Sequence, residues 1–451
     1  MPAKKKTVVD PAPNDKKAKG KAQPKIATVS VAMTSEVSAG VAPQGALASM
    51  SALSPTETFT RVTDKSYAEK MREINALRQK NPETFVSAED LESPYLLRRP
   101  TGIIELDIAL GGGFPAGGGA MLSGPYGSGK SWLLWRMFAM QQRIYGDDFI
   151  GAIAHTEGAM DFEWIRKVGC YIAVPDNVLN NWNEIRHQRG YPQLSSTEID
   201  FWKRQVGHIE TIQGDTGEKI LEGVLGLTSR SVCNIVAIDS ISSLQPQADA
   251  EKDLDEFAKR GAHAFLMKQF WLNYVPTTRR GTNNTTLMMV QQVVANQSKG
   301  SAPSPMQKYI QDWEVKGGEA SKHFKLIDVV LWSGAKINDN NKVAIGKEVH
   351  YKTLKGKAGT HENITGEFRY YYDLFGTDMY GDLIRSAAHR GVITNFGGYF
   401  MVTNWQTRQP LEGTKYPTEN DLRMHLMGNV NFEFFVRREV FASAGVQCLY
   451  R

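Results

Sequence analysis

Apolar residues recur along this chain with two different spacings, and the change from one to the other divides it. Between about Ser66 and Gln79, Tyr67, Met71, Ile74 and Leu77 fall four and three apart, which places them on one stripe of a helix. Asn81-Pro82 ends that pattern. A lone amphipathic helix ahead of a large domain needs a surface to pack on, and both its own core and a neighbouring copy qualify. From about Arg99, short apolar runs alternate with longer helical patterns. Strands are predicted at Ala120–Ser123, Ile150–Ala154, Ile235–Asp239, Thr286–Val290, Val329–Ser333, Val349–Leu354 and Glu367–Tyr372. Helix-length segments such as Trp132–Tyr145 and Ala258–Tyr274 separate several of them. The alternation predicts βα repeats: an α/β fold with a mostly parallel central sheet flanked by helices on both faces. Residues 176–208 interrupt it with a polar, aromatic-dotted stretch, and from about 381 a smaller mixed α/β domain follows.

Composition refines this picture mainly at the start of the chain. With 451 residues, 41% apolar and 22% charged, there is material for a large core and for one to three domains, which excludes a wholly disordered or fibrous protein. Residues 1–55, rich in Lys, Ala, Pro and Ser, bury too little to offset their ordering entropy and are read as a disordered tail. Of the formal charge of +5, all resides there: residues 1–50 hold eight lysines against Asp10, Asp15 and Glu36. That tail suits weak, non-specific DNA contact, solubilisation or a localisation address. The remainder is balanced, so any nucleic-acid role of the folded part must rest on local loops. Cys170, Cys233 and Cys448 form no metal or disulfide pattern. No apolar run reaches the roughly 20 residues of a membrane helix and no signal segment opens the chain. A cytoplasmic protein with no membrane partner is expected.

The sharpest chemical signal is Gly124-Pro125-Tyr126-Gly127-Ser128-Gly129-Lys130-Ser131. It fits G-x-x-x-x-G-K-[ST], follows an apolar strand and opens a helix. Glycines turn backbone N–H groups inward around phosphate oxygens, and the helix N-terminus adds its dipole. Lys130 neutralises phosphate charge and Ser131 ligates Mg²⁺. With Trp132, which follows where a small polar residue is more usual, these residues form the expected nucleotide-binding set. Asp239, ending the apolar run Ile235–Asp239, is placed to hold the metal through a water. Glu157 follows the strand Ile150–Ala154 and is read either as the carboxylate that orients an attacking water or as an ordinary loop acid.

The order of motifs resembles the RecA family of recombinases. Thr101-Gly-Ile-Ile-Glu-Leu-Asp-Ile-Ala-Leu-Gly-Gly-Gly113 is followed by the phosphate loop, Glu157 with Asp161, Gln213-Gly-Asp-Thr-Gly-Glu218 and Ile238-Asp-Ser240. Then come Val290-Gln-Gln292, Lys316-Gly317-Gly318, Lys355-Gly-Lys357, Met379-Tyr-Gly-Asp-Leu383 and Gly397-Gly-Tyr-Phe400. The resemblance covers roughly residues 99–405; the Lys-rich extension and the insertion at 176–208 make it look like a bacteriophage member. It implies a RecA-type P-loop core at 99–380, a helix and oligomerisation segment at 56–98 that docks on a neighbour, and a C-terminal domain at 381–451. It gives Glu157 the role of catalytic carboxylate and brings Asp161 and Trp164 to the adenine. Gln292 senses the γ-phosphate, and Lys355 and Lys357 reach the ATP of an adjacent subunit, as an arginine finger does. A first DNA-binding loop at about 247–260 offers Lys259 and Arg260. A second, at about 293–322, offers Lys299, Lys308, Tyr309, Lys316, Gly317, Gly318 and Lys322, all of which could equally be ordinary solvated residues.

The implied protein is an ATP- and Mg²⁺-dependent recombinase that forms a helical filament on single-stranded DNA and promotes pairing and strand exchange with duplex DNA. Single-strand-binding and loading proteins are further implied partners. A hexameric helicase with the same core and an ATP-binding mediator that hydrolyses little are the alternatives. The sequence departs from the family in Ser131 for threonine, in His155-Thr156 before Glu157, and in Phe265 and Leu272 where cations are usual. In the C-terminal domain Arg385, Arg390, Arg408 and Arg423 are open to either duplex guidance or packing.

Overall fold

The computed structural model describes residues 67–82, 84–85, 97–158, 160–250, 261–278, 283–295, 313–315, 318–372 and 378–448. The chain forms two units, residues 1–79 and 80–451. The expected tail at 1–55 lies outside the described residues. In the first unit, helix α1 (Tyr67–Lys80) forms where the stripe predicts it. Met71 is half-buried, whereas Ile74 and Leu77 are 41% and 44% exposed.

The second unit begins with a two-residue antiparallel ladder, β1 (Arg98–Arg99) with β2 (Phe114–Pro115), around helix α2 (Ile104–Ala109). Asp107 in α2 is buried and accepts from the Thr101 amide and hydroxyl and from the Gly102 amide. Among the described residues the main sheet has nine strands: β3 (Gly119–Gly124), β4 (Ile150–His155), β5 (His208–Thr211), β6 (Ile235–Asp239), β7 (Thr286–Ala295), β8 (Trp313–Val315), β9 (Ile327–Asn338), β10 (Ala344–Gly356) and β11 (Thr365–Tyr371). Their order is β11-β10-β9-β3-β7-β6-β4-β5, with β8 paired to β7 off that path. Strands β9 to β5 along this order run parallel, while β10, β11 and β8 are antiparallel to their neighbours.

The continuous apolar runs of the parallel strands bury both faces. Ala120, Leu122, Ile235, Ala237, Met288 and Val290 pack into one core with α2, α3 (Lys130–Tyr145) and α4 (Phe162–Lys167). Their alternates Met121, Val236, Ile238, Leu287 and Met289 pack into another with α7 (Gly217–Ser229) and α9 (Ala262–Thr278). The segment 176–208 is built as two helices, α5 (Asp176–Gln188) and α6 (Ser196–Lys203), the second opened by a capping box between Ser195 and Glu198. Its scattered aromatics have a packing purpose. The buried Arg166 guanidinium lies 4.9 Å from the Phe201 ring and 5.8 Å from that of Trp202, and donates to the Trp202 and Arg204 carbonyls.

Several expected boundaries are corrected. Helix α9 runs past Pro276, and the Thr277 and Thr278 hydroxyls donate to the Tyr274 and Val275 carbonyls in that last turn. Strand β7 continues through Val293–Ala295, where β8 pairs back onto it, and Gly318–Phe324 is helix α10. The stretch expected as a loop over 293–322 is therefore strand and helix at both its ends. Likewise, Gln247–Ala250 at the start of the expected first loop is a helical turn, α8. Lys259, Arg260, Lys299, Lys308, Tyr309, Lys316 and Gly317 lie outside the described residues.

From α11 (Met379–His389) the chain adds the antiparallel sheet β12 (Ile393–Phe396), β13 (Tyr399–Thr403) and β14 (Pro410–Tyr416), then α12 (Glu419–Gly428) and α13 (Val430–Ser443). Its apolar cluster, including Leu383, Val402, Leu422, Val440 and Phe441, also takes in Ile104 of α2 and Met140 of α3. Four of its arginines have partners in the fold. Arg390 pairs with Glu105 at 2.7 Å, Arg423 donates to Asp378 at 2.6 Å, Arg385 pairs with Asp382, and Arg408 donates to the Arg390 carbonyl at 3.2 Å. No helix among the described residues is long and apolar enough to cross a membrane.

Candidate nucleotide site

The site starts from a strand that ends in the sheet interior. β3 lies between β7 and β9, so the loop that leaves it is flanked by the C-terminal ends of parallel strands, the edge at which such sheets bind ligands. A Cβ at Gly124 would sit 2.3 Å from the Leu331 carbonyl oxygen of β9, so only glycine lets the loop leave there. Gly129 adopts φ +94° as the N-cap of α3. The loop encloses a cavity of about 430 Å³ lined by residues 126–132 together with Glu157, Trp164, Asp239, Val290, Gln292, Lys347 and Tyr370.

The charges in this cavity are poorly compensated. The buried Lys130 ammonium donates to the Pro125 carbonyl at 2.7 Å and approaches the Ser128 hydroxyl at 3.4 Å. Burial lowers its pKa, against which Asp239 and Glu157 act by attraction. Burial likewise raises the pKa of Asp239, although the Ser131 hydroxyl hydrogen-bonds to it. Its Oδ1 is buried with no hydrogen-bond partner. A carboxylate oxygen orphaned beside a serine hydroxyl, in a loop whose lysine has only weak neutral partners, fits a phosphate chain with a divalent cation.

Around Glu157 a second set of contacts joins three strands. Its Oε1 accepts from Gln292 Nε2 at 2.7 Å, from the Ser240 hydroxyl at 2.6 Å and from Ser243 at 3.4 Å. Thr156, unusual for its place in the motif, donates its hydroxyl to the Ser240 carbonyl and accepts from the Ser240 amide, both at 2.8 Å. The Gln292 amide donates to Ser242 at 3.1 Å. Residues from β4, β6 and β7 are thus locked at one strand edge.

Other expected site residues make contacts of their own or lie away from the cavity. Asp161 is exposed and caps α4, accepting from the Trp164 amide at 2.9 Å, while Trp164 itself lines the cavity. Trp132 is buried against Phe368 and Tyr370, with ring centroids 5.5 and 5.1 Å away. Lys355 donates to the Lys322 and His323 carbonyls at 2.6 and 2.9 Å, capping the C-terminus of α10. Neither Lys355 nor Lys357 lines the cavity of its own chain. Phe265 and Leu272 are exposed on α9, at 63% and 47%. Lys347 and Tyr370 of the antiparallel strands join the site without any forewarning in the sequence. No local signal marks them, because only the pairing of β10 with β9 and β11 brings them to the loop.

A mostly parallel sheet with helices on both faces and a phosphate loop after a central strand defines a P-loop core. No protein-family model matches the chain. It is 27% identical over 303 residues to Protein RecA of Thermus thermophilus, covering 67% of this chain and 74% of that one. To Protein RecA of Syntrophus aciditrophicus it is 25% identical over 342 residues, 75% of this chain and 83% of the other. A crystal structure of the RadB recombinase covers 60% of the chain at 14% identity and TM-score 0.36, a likeness too low to bear on the assignment. By its sequence the chain is similar to Protein RecA over two thirds or more of its length.

Proposed function

We propose that this protein is a DNA-dependent ATPase and recombinase that assembles as a filament on single-stranded DNA and promotes strand exchange with duplex DNA. The reading is carried by one observation: Lys130, Ser131, Asp239, Glu157 and Gln292 meet in a single cavity of a chain related to Protein RecA over 303 residues. Residues 124–132 hold the phosphates, Lys130 as the buried cation and the loop amides as donors. Ser131 and Asp239 hold Mg²⁺, which neutralises phosphate charge when bound. Glu157 orients and deprotonates the attacking water. Trp164, with Asp161 at the start of its helix, borders the base.

Gln292 stands between the two halves of the machine. It holds Glu157 through its side chain and lies on β7, which continues into the segment 296–312 where Lys299, Lys308 and Tyr309 are proposed to meet DNA. Trading Glu157 for the terminal phosphate would let this residue report the nucleotide to that segment, an order–disorder switch of familiar type. Lys316, Gly317, Gly318 and Lys322, with Lys259 and Arg260 of the first loop, complete the proposed DNA contacts. Lys355 and Lys357 serve the site of the next protomer, to which the exposed apolar face of α1 docks. Phosphate contacts leave the bases to pair, so recognition is sequence-tolerant and salt-sensitive.

The test is electron microscopy of the protein with single-stranded DNA and a non-hydrolysable ATP analogue, paired with a strand-exchange assay and an omission control. Filaments that need both ligands, together with joint-molecule formation, are expected. Rings that unwind DNA point instead to a helicase, and tight ATP binding with near-zero DNA-dependent turnover to a mediator.

A further inference from the structure

Among the described residues, four charged side chains line the phosphate-loop cavity: Lys130, Glu157, Asp239 and Lys347. Three have a part in the proposed ATPase site; the fourth belongs to no motif, and the role inferred for it rests on that proposed site. Lys347 reaches the loop from β10, where it stands opposite Lys336 of β9 and Tyr370 of β11. Its ammonium donates to the Gly127 carbonyl and, at 3.2 Å, to the Ser333 hydroxyl, and it lies 5.8 Å from the centre of the Tyr370 ring. None of these partners carries a negative charge.

A lysine that only braced Gly127 would be an expensive choice. The Ser333 hydroxyl already donates to the same carbonyl at 3.1 Å, so the oxygen is satisfied without an ammonium. Burial disfavours the charge on Lys347, and its proximity in turn disfavours the charge on Lys130. Two half-desolvated cations in one cavity repel each other, and a polyanion between them removes both penalties. The Gly127 carbonyl also belongs to the phosphate loop itself, and Gly127 lines the cavity. A group resting on it stands within one side-chain swing of the cradle.

We infer that Lys347 is a second phosphate-binding residue of the nucleotide site, supplied in cis from β10, whose ammonium exchanges the Gly127 carbonyl for phosphate oxygens of a nucleoside di- or triphosphate. The same strand carries Lys355, so occupancy of the site bears directly on the strand that offers its far end to the next protomer.

Titration of the full-length protein with mant-ATP in Mg²⁺ tests this, using wild type, Lys130→Ala, Lys347→Met and Lys347→Arg. Lys347→Met is expected to weaken binding about tenfold, the loss of one charge-assisted contact. Its ligand-free melting temperature should stay within about 2 °C of wild type, and Lys347→Arg should restore affinity to within about threefold. Affinity of Lys347→Met within about twofold of wild type overturns the inference. So does weakening that Lys347→Arg fails to rescue, or that comes with a fall in the ligand-free melting temperature, since either marks a brace. If Lys130→Ala loses mant-ATP while Lys347→Met keeps it, only this inference falls; a wild-type protein that ignores mant-ATP removes both readings.

Discussion

The two halves of the main sheet meet the phosphate loop in different ways. On the parallel side, Asp239 ends β6, Glu157 closely follows β4 and Gln292 lies within β7, and the three sit at a common edge because parallel strands share one C-terminal end. On the antiparallel side, β9, β10 and β11 bring their residues alongside the loop, so register decides what arrives: Lys347, Tyr370 and Ser333. The parallel side offers carboxylates and an amide, groups suited to a metal and to water. The antiparallel side offers a cation and aromatics. Chemistry is assigned to the first and grip to the second, and single substitutions can separate them.

The largest effect belongs to the residue both halves surround. Lys130→Ala removes the buried cation at the loop, and mant-ATP affinity should fall by roughly a hundredfold or more, taking turnover with it. Retained affinity and wild-type turnover would remove the loop from the account. Next comes Glu157→Gln, which keeps the shape of the Gln292 and Ser240 contacts but removes the proposed base. Hydrolysis should fall by about 10²–10³ with nucleotide affinity within a few-fold of wild type. A parallel loss of affinity would assign Glu157 to binding. Smaller again is the double change Lys355→Ala with Lys357→Ala. It should abolish the DNA-stimulated part of ATP hydrolysis while basal turnover and mant-ATP binding survive. Stimulation that persists unchanged breaks the claim that the antiparallel strands serve a second protomer.

The same division decides how much the sequence discloses. Strands buried on both faces announce themselves as apolar runs, and each carries its functional residue at a countable offset: Asp239 ends one and Glu157 closely follows another. Strand β10 is only partly buried, so Val349–Leu354 is legible and the flanking Lys347 is not. The apolar pattern ends β7 at Val290 for a similar reason, since Gln291 and Gln292 break the run although the ladder continues to Ala295. In the polar, aromatic insertion the Phe201 and Trp202 rings lie against Arg166, a partner invisible without the tertiary contact. Ser240, Ser243 and Thr156, which hold Glu157 in place, carry no signal beyond being hydroxyls near a motif.

The smallest expected effect lies far from the nucleotide, where α11 meets the core, and it tests whether the C-terminal domain is as tightly joined as its shared cluster indicates. Asp382 is pushed up to about 6, chiefly by burial; Asp378 adds to this, while Arg385 and Arg136 oppose it. Its Oδ2 is buried without a partner. The folded-state pKa thus exceeds the unfolded value of 3.8, so the folded protein binds the extra proton between those limits. Stability falls as pH rises from about 4 to about 6 and stays lowered above, by at most roughly 3 kcal/mol. Asp382→Asn has no proton to lose there. The difference between its melting temperature and that of wild type should therefore grow in the variant's favour across this window, by a few degrees. A difference that stays constant from pH 4 to 7 would mean that Asp382 is charged and solvated. The core and the C-terminal domain would then be more loosely apposed than Ile104, Met140 and the Arg390–Glu105 pair imply.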